Sequence, residues 1–181
     1  MNDEQVVTRP GAVVLMGRQL TVVGRELKPG DKAPNFELTA NNWSKVRLAD
    51  SAGKVRLISV VPSLDTRVCD TQTRRFNQEA ANLGDKVVVL TISADLPYAQ
   101  RRWCGAAGIE QVQALSDHFN MNFGNRYGTH IQELRLEQRS VFVVNEQDVV
   151  TYAEYIQEFG QHPNYEAALA AVRDEVIGNK Q

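Results

Sequence analysis

The stretch Val55-Arg-Leu-Ile-Ser-Val-Val61, running into Pro62-Ser-Leu-Asp-Thr-Arg-Val-Cys69, decides the fold. Its first half is a near-continuous β-branched and aliphatic run, of the length and character of a central strand buried on both faces. Pro62 breaks that run. From Thr66 to about Leu83 the apolar residues Val68, Phe76, Ala80 and Leu83 recur near helical spacing with charges between them, so the period changes from strand to helix. Gly84-Asp85 ends the helix, and Lys86 to Ser93 (KVVVLTIS) reads as a second buried strand. Strand, helix and strand in that order form a βαβ unit, which is parallel and right-handed.

Downstream, Pro97 suits the first turn of another helix, running to about Cys104 with Gly105 as its stop. Phe119 to Tyr127 reads as a short helix. Ser140 to Val144 and Val149 to Tyr155 read as a hairpin through Asn145 to Asp148, and Tyr165 to Val176 as an amphipathic closing helix. Upstream, residues 13–26 (VVLMGRQLTVVGRE) place two apolar runs around Gly17-Arg18-Gln19, the pattern of a β-hairpin. Lys28-Pro29-Gly30-Asp31 is a turn, Asn35 to Thr39 an extended segment, and Arg47-Leu48 a short strand. This order predicts an α/β fold with a mixed central sheet flanked by helices and an N-terminal β-hairpin, the thioredoxin-like arrangement. Residues 1–181 are expected to form a single domain, with 1–12 as a flexible N-terminal segment.

Bulk properties narrow the function. With 43% apolar residues in 181, the chain can bury one core without disulfide staples. Its 20 Lys and Arg are interleaved with 22 Asp and Glu for a net charge of −2, which argues against a nucleic-acid partner. No apolar stretch approaches the ~18–20 residues of a membrane span. The apolar run Ala12 to Met16 is short and preceded by Asp3 and Glu4, unlike a secretory signal. A cytoplasmic location is expected. Two cysteines do not make a disulfide scaffold; in a reducing compartment such a pair is catalytic, redox-active or simply buried.

The placement of Cys69 favours chemistry. With Thr66 as N-cap, Cys69 falls at the third helical position, where backbone N–H groups have no helical partner and the positive end of the dipole lies. Both favour the thiolate, the nucleophilic form. Thr66 brings a hydroxyl three residues upstream, within reach of the sulfur or of a substrate oxygen. Cys104 lies on the next helix; it is either a buried helical thiol beside a core Trp103 or a redox partner. Gly105-Ala-Ala-Gly108 follows it at once, so that helix end should open at low cost. Leu64 and Val68 give the sulfur apolar neighbours in sequence.

Proline seven residues before a cysteine and threonine three before it, directly after a buried strand, resembles the peroxiredoxin active-site signature. The longer segments Pro62 to Asn77, Ser93 to Gly105, Arg139 to Val144 and Pro163 to Leu169 are similar to the bacterial thiol peroxidase subfamily, an atypical two-cysteine group. The resemblance runs from about Val13 to Val172. It implies that Cys69 is the peroxide-attacking cysteine, Thr66 its hydroxyl partner, Pro62 the residue shielding the sulfur from water, and Arg139 the guanidinium brought beside the thiolate. It implies that Cys104 resolves the oxidised Cys69 as an intramolecular disulfide, that thioredoxin reduces this disulfide, and that the chain is a homodimer. The substrates implied are hydrogen peroxide and organic hydroperoxides. Arg67 and Trp103 depart from what relatives often carry; Arg67 is expected to face solvent.

Other chemistries lack their residues. No Cys-x-x-Cys occurs, and no Gly-rich phosphate loop follows a strand. His118, His130 and His162 show no metal-ligand spacing with either cysteine, and no cofactor is expected. Arg74-Arg75 and Arg101-Arg102 read as solvated helix faces or partner contacts. The competing function is a redox sensor or partner-binding module using the same cysteine pair without turnover.

Overall fold

The computed structural model describes residues 6–178. At its centre lies β5 (Val55–Val60), every residue of which is buried. Alternation along this strand feeds two cores. Val55 and Leu57 point to one side with Phe76, Val141, Val143 and Leu169; Ile58 and Val60 point to the other with Phe36, Ile92, Phe123 and Phe142. A strand wet on one face would need polar residues on that side, and the continuous apolar run reflects their absence. Arg56 and Ser59 are the polar exceptions; Arg56, fully buried, donates to the Asn145 carbonyl at 2.8 Å and to Asp148 Oδ1 at 2.7 Å.

Parallel to β5 runs β6 (Val87–Ser93), and parallel to that β7 (Gln113–Ser116). On the other flank β10 (Ser140–Val144) pairs antiparallel with both β5 and β11 (Val150–Tyr155). Together with β3 (Glu37–Ala40) and β4 (Lys45–Arg47) these make a seven-stranded mixed sheet of order β11-β10-β5-β6-β7-β3-β4. Residues of α1 (Arg67–Leu83), α2 (Pro97–Ala107) and α4 (Tyr165–Gly178) cover the Val55 side, and those of α3 (Asn122–Tyr127) the Ile58 side. The expected α/β class, mixed sheet and thioredoxin-like order are all present.

The N-terminal hairpin of β1 (Thr8–Leu15) and β2 (Arg18–Val23) belongs to a second, four-stranded sheet with β8 (His130–Ile131) and β9 (Leu136–Glu137). Its turn is Met16-Gly17 rather than Gly17-Arg18-Gln19, because both central residues take positive φ and Arg18 already pairs with Leu15. The expected flexible segment 1–12 is corrected over Thr8–Ala12, which stand in β1 with Thr8 opposite Val23 and Arg9 opposite Val22. Residues 1–5 lie outside the described residues.

Three boundaries shift for local reasons. Leu48 leaves the strand and opens a 3-10 turn, Leu48–Ser51, since Asp50 accepts the Arg47 N–H. Gly105 does not stop α2; the helix continues to Ala107, and Gly108 at φ 67° closes it with its N–H on the Cys104 carbonyl. The helix expected from Phe119 begins at Asn122, where the Asp117 carboxylate accepts the N–H groups of Phe123 and Gly124. The short strands β7, β8 and β9 were not expected from the sequence; they are too brief to carry a period.

Candidate active site

Cys69 stands where β5 hands over to α1. Pro62 is buried at the strand end, and Thr66 is the N-cap with extended φ −94° and ψ 149°. Residues 63–66 are held by Asp95, just beyond β6: its carboxylate accepts Ser63 Oγ, the Leu64 N–H and Ser93 Oγ, each at 2.8 Å. This anchor was not singled out from the sequence, although Asp95 lies between Ser93 and Pro97, where a strand-to-helix turn calls for such a side chain.

The sulfur has two polar partners. Thr66 makes no side-chain cap bond to the helix; its Oγ1 lies 2.6 Å from Cys69 Sγ and 3.1 Å from the Ser63 carbonyl. A hydroxyl has one proton, and the shorter contact favours the sulfur. Arg139, only 2% exposed, places Nη2 at 3.4 Å from Sγ. Its guanidinium is oriented by Gln72 Oε1 at 3.0 Å from Nη1 and by the Phe159 carbonyl at 3.2 Å from Nη2. Both supports are additions to the residues expected from sequence. Gln72 sits one turn beyond Cys69 on the same helix face and is itself tied to Ser59 Oγ at 2.8 Å; its spacing from Cys69 was the available signal. Phe159 contributes backbone, held to β1 through its N–H on the Val14 carbonyl, and no sequence pattern announces that.

The apolar side of the sulfur is Val61 and Leu64, with Trp103 packed against them. Cys69 itself has 0% exposure. Thr66, Cys69 and Arg139, expected together from sequence, meet in one locality, with Pro62 buried at the strand end before them. Cys104 is not in that cluster. It is half-buried among the residues packed against the Val55-side cluster, which includes Val112 and Phe76, and both cysteines are free thiols. Burial pushes the Cys104 thiol up, against a smaller opposing hydrogen bond with Asn41. Arg67 is exposed, as expected.

The remaining candidates have ordinary partners. His118 Nδ1 meets Ser116 Oγ at 3.0 Å, His130 Nδ1 meets Asn125 at 2.7 Å, and His162 Nδ1 meets the Tyr165 hydroxyl at 2.7 Å. Arg75 pairs with Glu79 and Glu166. No described helix is long and apolar enough to cross a membrane.

A small, buried thiol at a helix start, contacted by one hydroxyl and one fixed guanidinium, has counterparts among known proteins. The Redoxin family model matches residues 28–169. Thiol peroxidase of Halalkalibacterium halodurans is 58% identical over 90% of this chain and 97% of its own length, and that of Bacillus subtilis 56% over 89% and 96%. Among solved structures, a peroxiredoxin-like protein from Aquifex aeolicus superposes with a TM-score of 0.84 at 34% identity, covering 91% of this chain and 96% of that one. Thiol peroxidase from Chromobacterium violaceum gives 0.80 at 19% identity, covering 92% and 97%, a likeness of fold. On this identity and coverage, the chain belongs to the thiol peroxidases of the Redoxin family.

Proposed function

We propose that Cys69 is the sulfur with which this thiol-dependent peroxidase attacks its substrate, that Cys104 resolves it, and that thioredoxin is the reductant. One observation carries the reading: Thr66 Oγ1 at 2.6 Å and Arg139 Nη2 at 3.4 Å converge on a single buried sulfur. The Cys69 thiolate attacks the terminal oxygen of ROOH. An S–O bond forms, the O–O bond breaks, and the departing oxygen leaves with a proton as ROH, or as water from hydrogen peroxide. The fork of Arg139 and the hydroxyl of Thr66 are already fixed where negative charge spreads from sulfur onto oxygen, so they stabilise the transition state without reorganising. Pro62 and Leu64 keep bulk water from the sulfur.

Cys69 is then a sulfenic acid, the first rung of thiol oxidation. Cys104 sulfur displaces its hydroxyl: an S–S bond forms, the S–O bond breaks, and water departs with the Cys104 proton. Burial holds Cys104 as a neutral thiol, which suits a group that must wait for the sulfenic acid rather than meet peroxide itself. A disulfide needs Cα atoms within about 7 Å, and in the proposed cycle the ends of α1 and α2 open to let the two sulfurs meet. Thioredoxin restores both thiols by exchange, one of its sulfurs attacking and the other releasing it. The chain works as one domain, as a homodimer, in the cytoplasm, on hydrogen peroxide and alkyl hydroperoxides.

The test is peroxide consumption with thioredoxin, thioredoxin reductase and NADPH. Many turnovers are expected from the wild type, none from Cys69→Ser, and loss of thioredoxin-supported turnover in Cys104→Ser. Wild-type rates from Cys69→Ser would overturn the assignment of the attacking sulfur. A single oxidation without turnover would place the chain with redox sensors. Sedimentation at micromolar concentration tests the homodimer.

A further inference from the structure

We propose that Trp103, clamped by Arg74, is the latch that sets how fast oxidised Cys69 is converted to the disulfide; this rests on the roles just proposed for the two cysteines. Trp103 neighbours Cys104 in sequence and packs against both the cluster that holds Cys69 and the one that holds Cys104. The first is the cluster that Val61, Leu64 and Cys69 form; the second is the apolar cluster of the Val55 side, against which Cys104 also packs. The cysteine-bearing end of α2 cannot swing towards α1 without lifting this ring off the shell of Cys69.

Arg74, on α1, holds the ring down. Its guanidinium carbon lies 5.6 Å from the Trp103 ring centroid, its Nη1 donates to the Ala107 carbonyl at 3.4 Å, and its Nε is fixed on Asp70 Oδ2 at 2.9 Å. The Ala107 carbonyl belongs to the last turn of α2, where oxygens lack helical donors. One side chain therefore bridges the two helices at both the aromatic ring and the helix end. The rest of that end is held by the Cys104 carbonyl, which accepts the N–H groups of Gly108 and of Ile109, the latter at 3.0 Å. Moving Cys104 undoes this cap as well.

The latch decides between two fates of the sulfenic acid. Released, Cys104 condenses with it to disulfide and water. Closed, a second hydroperoxide oxidises it, Cys69–SOH + ROOH giving Cys69–SO2H + ROH, which leaves the cycle. A tight latch thus makes the enzyme sensitive to excess peroxide.

The experiment is rapid-quench mass spectrometry of the reduced full chain mixed with hydrogen peroxide, following sulfenic acid, disulfide and sulfinic acid. Wild type, Arg74→Gln and Arg74→Lys are compared; Arg74 is exposed, so both variants keep the fold. Sulfenic acid should appear at the same rate in all three. In Arg74→Gln it should pass to disulfide about two- to fivefold faster, the factor expected for losing an exposed cation–ring contact, with a matching fall in sulfinic acid at excess peroxide. Arg74→Lys, which keeps the cation, should stay nearer wild type. An unchanged disulfide step in Arg74→Gln, or equal acceleration in Arg74→Lys, would overturn the latch. A wild type whose sulfenic acid persists as in Cys104→Ser would instead overturn the role of Cys104.

Discussion

Thr66→Val separates the chemistry of the helix start from its capping. Threonine and valine share shape, and the extended backbone of residue 66 (φ −94°, ψ 149°) suits a β-branched side chain. The only group removed is the hydroxyl, which lies 2.6 Å from Cys69 Sγ. Hydrogen bonds to a charged partner contribute about 1.5–3 kcal/mol. At about 1.4 kcal/mol per decade, the second-order rate of Cys69 oxidation by hydrogen peroxide should fall about 10- to 150-fold. An N-cap threonine ordinarily contributes about 1 kcal/mol to its helix through a bond to a backbone N–H. Here that bond is absent, so reduced Thr66→Val loses no capping contribution, and its loss in urea unfolding is set by the contact with Sγ, at most about 1.5–3 kcal/mol. Thr66→Ser keeps the hydroxyl and should retain most of the rate. Stopped-flow fluorescence during oxidation gives the rates. Thr66→Val oxidised within twofold of wild type would refute the reasoning.

Arg139→Lys keeps the charge but not the fork that spans Cys69, Gln72 and the Phe159 carbonyl; oxidation by peroxide should slow about 10²-fold in the same assay. Burial beside Asp117 pushes the Glu137 carboxyl well above the usual carboxylate range. The folded chain then keeps a proton that the unfolded chain releases, so this contribution is complete below about pH 4 and is lost as pH rises towards the folded value. Glu137→Gln, which can still meet Thr129 and Asp117, should lose less stability than wild type between pH 5 and pH 8 in urea unfolding. Gly128, at φ 71°, has the Arg25 carbonyl where a Cβ would stand; Gly128→Ala should cost about 2–4 kcal/mol in the same experiment.

The parts of the fold visible in the sequence were those with a period to show. β5, β6 and α1 follow from uninterrupted runs and helical spacing, and Thr66 is the observed N-cap because proline and a turn precede it. β7, β8 and β9 did not show, since four or two residues held by tertiary pairing leave no pattern. The same contrast holds at the site. Cys69 and Thr66 share one turn, so their contact is local. Arg139 became legible through a family resemblance, because its approach depends on how β10 pairs with β5. Asp95, Gln72 and the Phe159 carbonyl act on the loop and the guanidinium rather than on sulfur, and only coordinates bring such supports together. The stop of α2 was misplaced by one glycine. Gly105 was the nearer candidate, but Gly108 is the one that takes the left-handed conformation.

A reactive sulfur with none of its surface showing sorts its visitors by size. The two-oxygen head of a hydroperoxide can slip in on small side-chain motions, whereas the thiol of another protein arrives with a backbone around it and meets a closed wall. Protein thiols and disulfides are thus kept from the reduced cysteine by shape rather than by reactivity. On the proposed cycle, a protein reductant gains entry only once oxidation has parted the two helices. Oxidant and reductant therefore address different shapes of one molecule, and an excess of reductant leaves the oxidation step undisturbed.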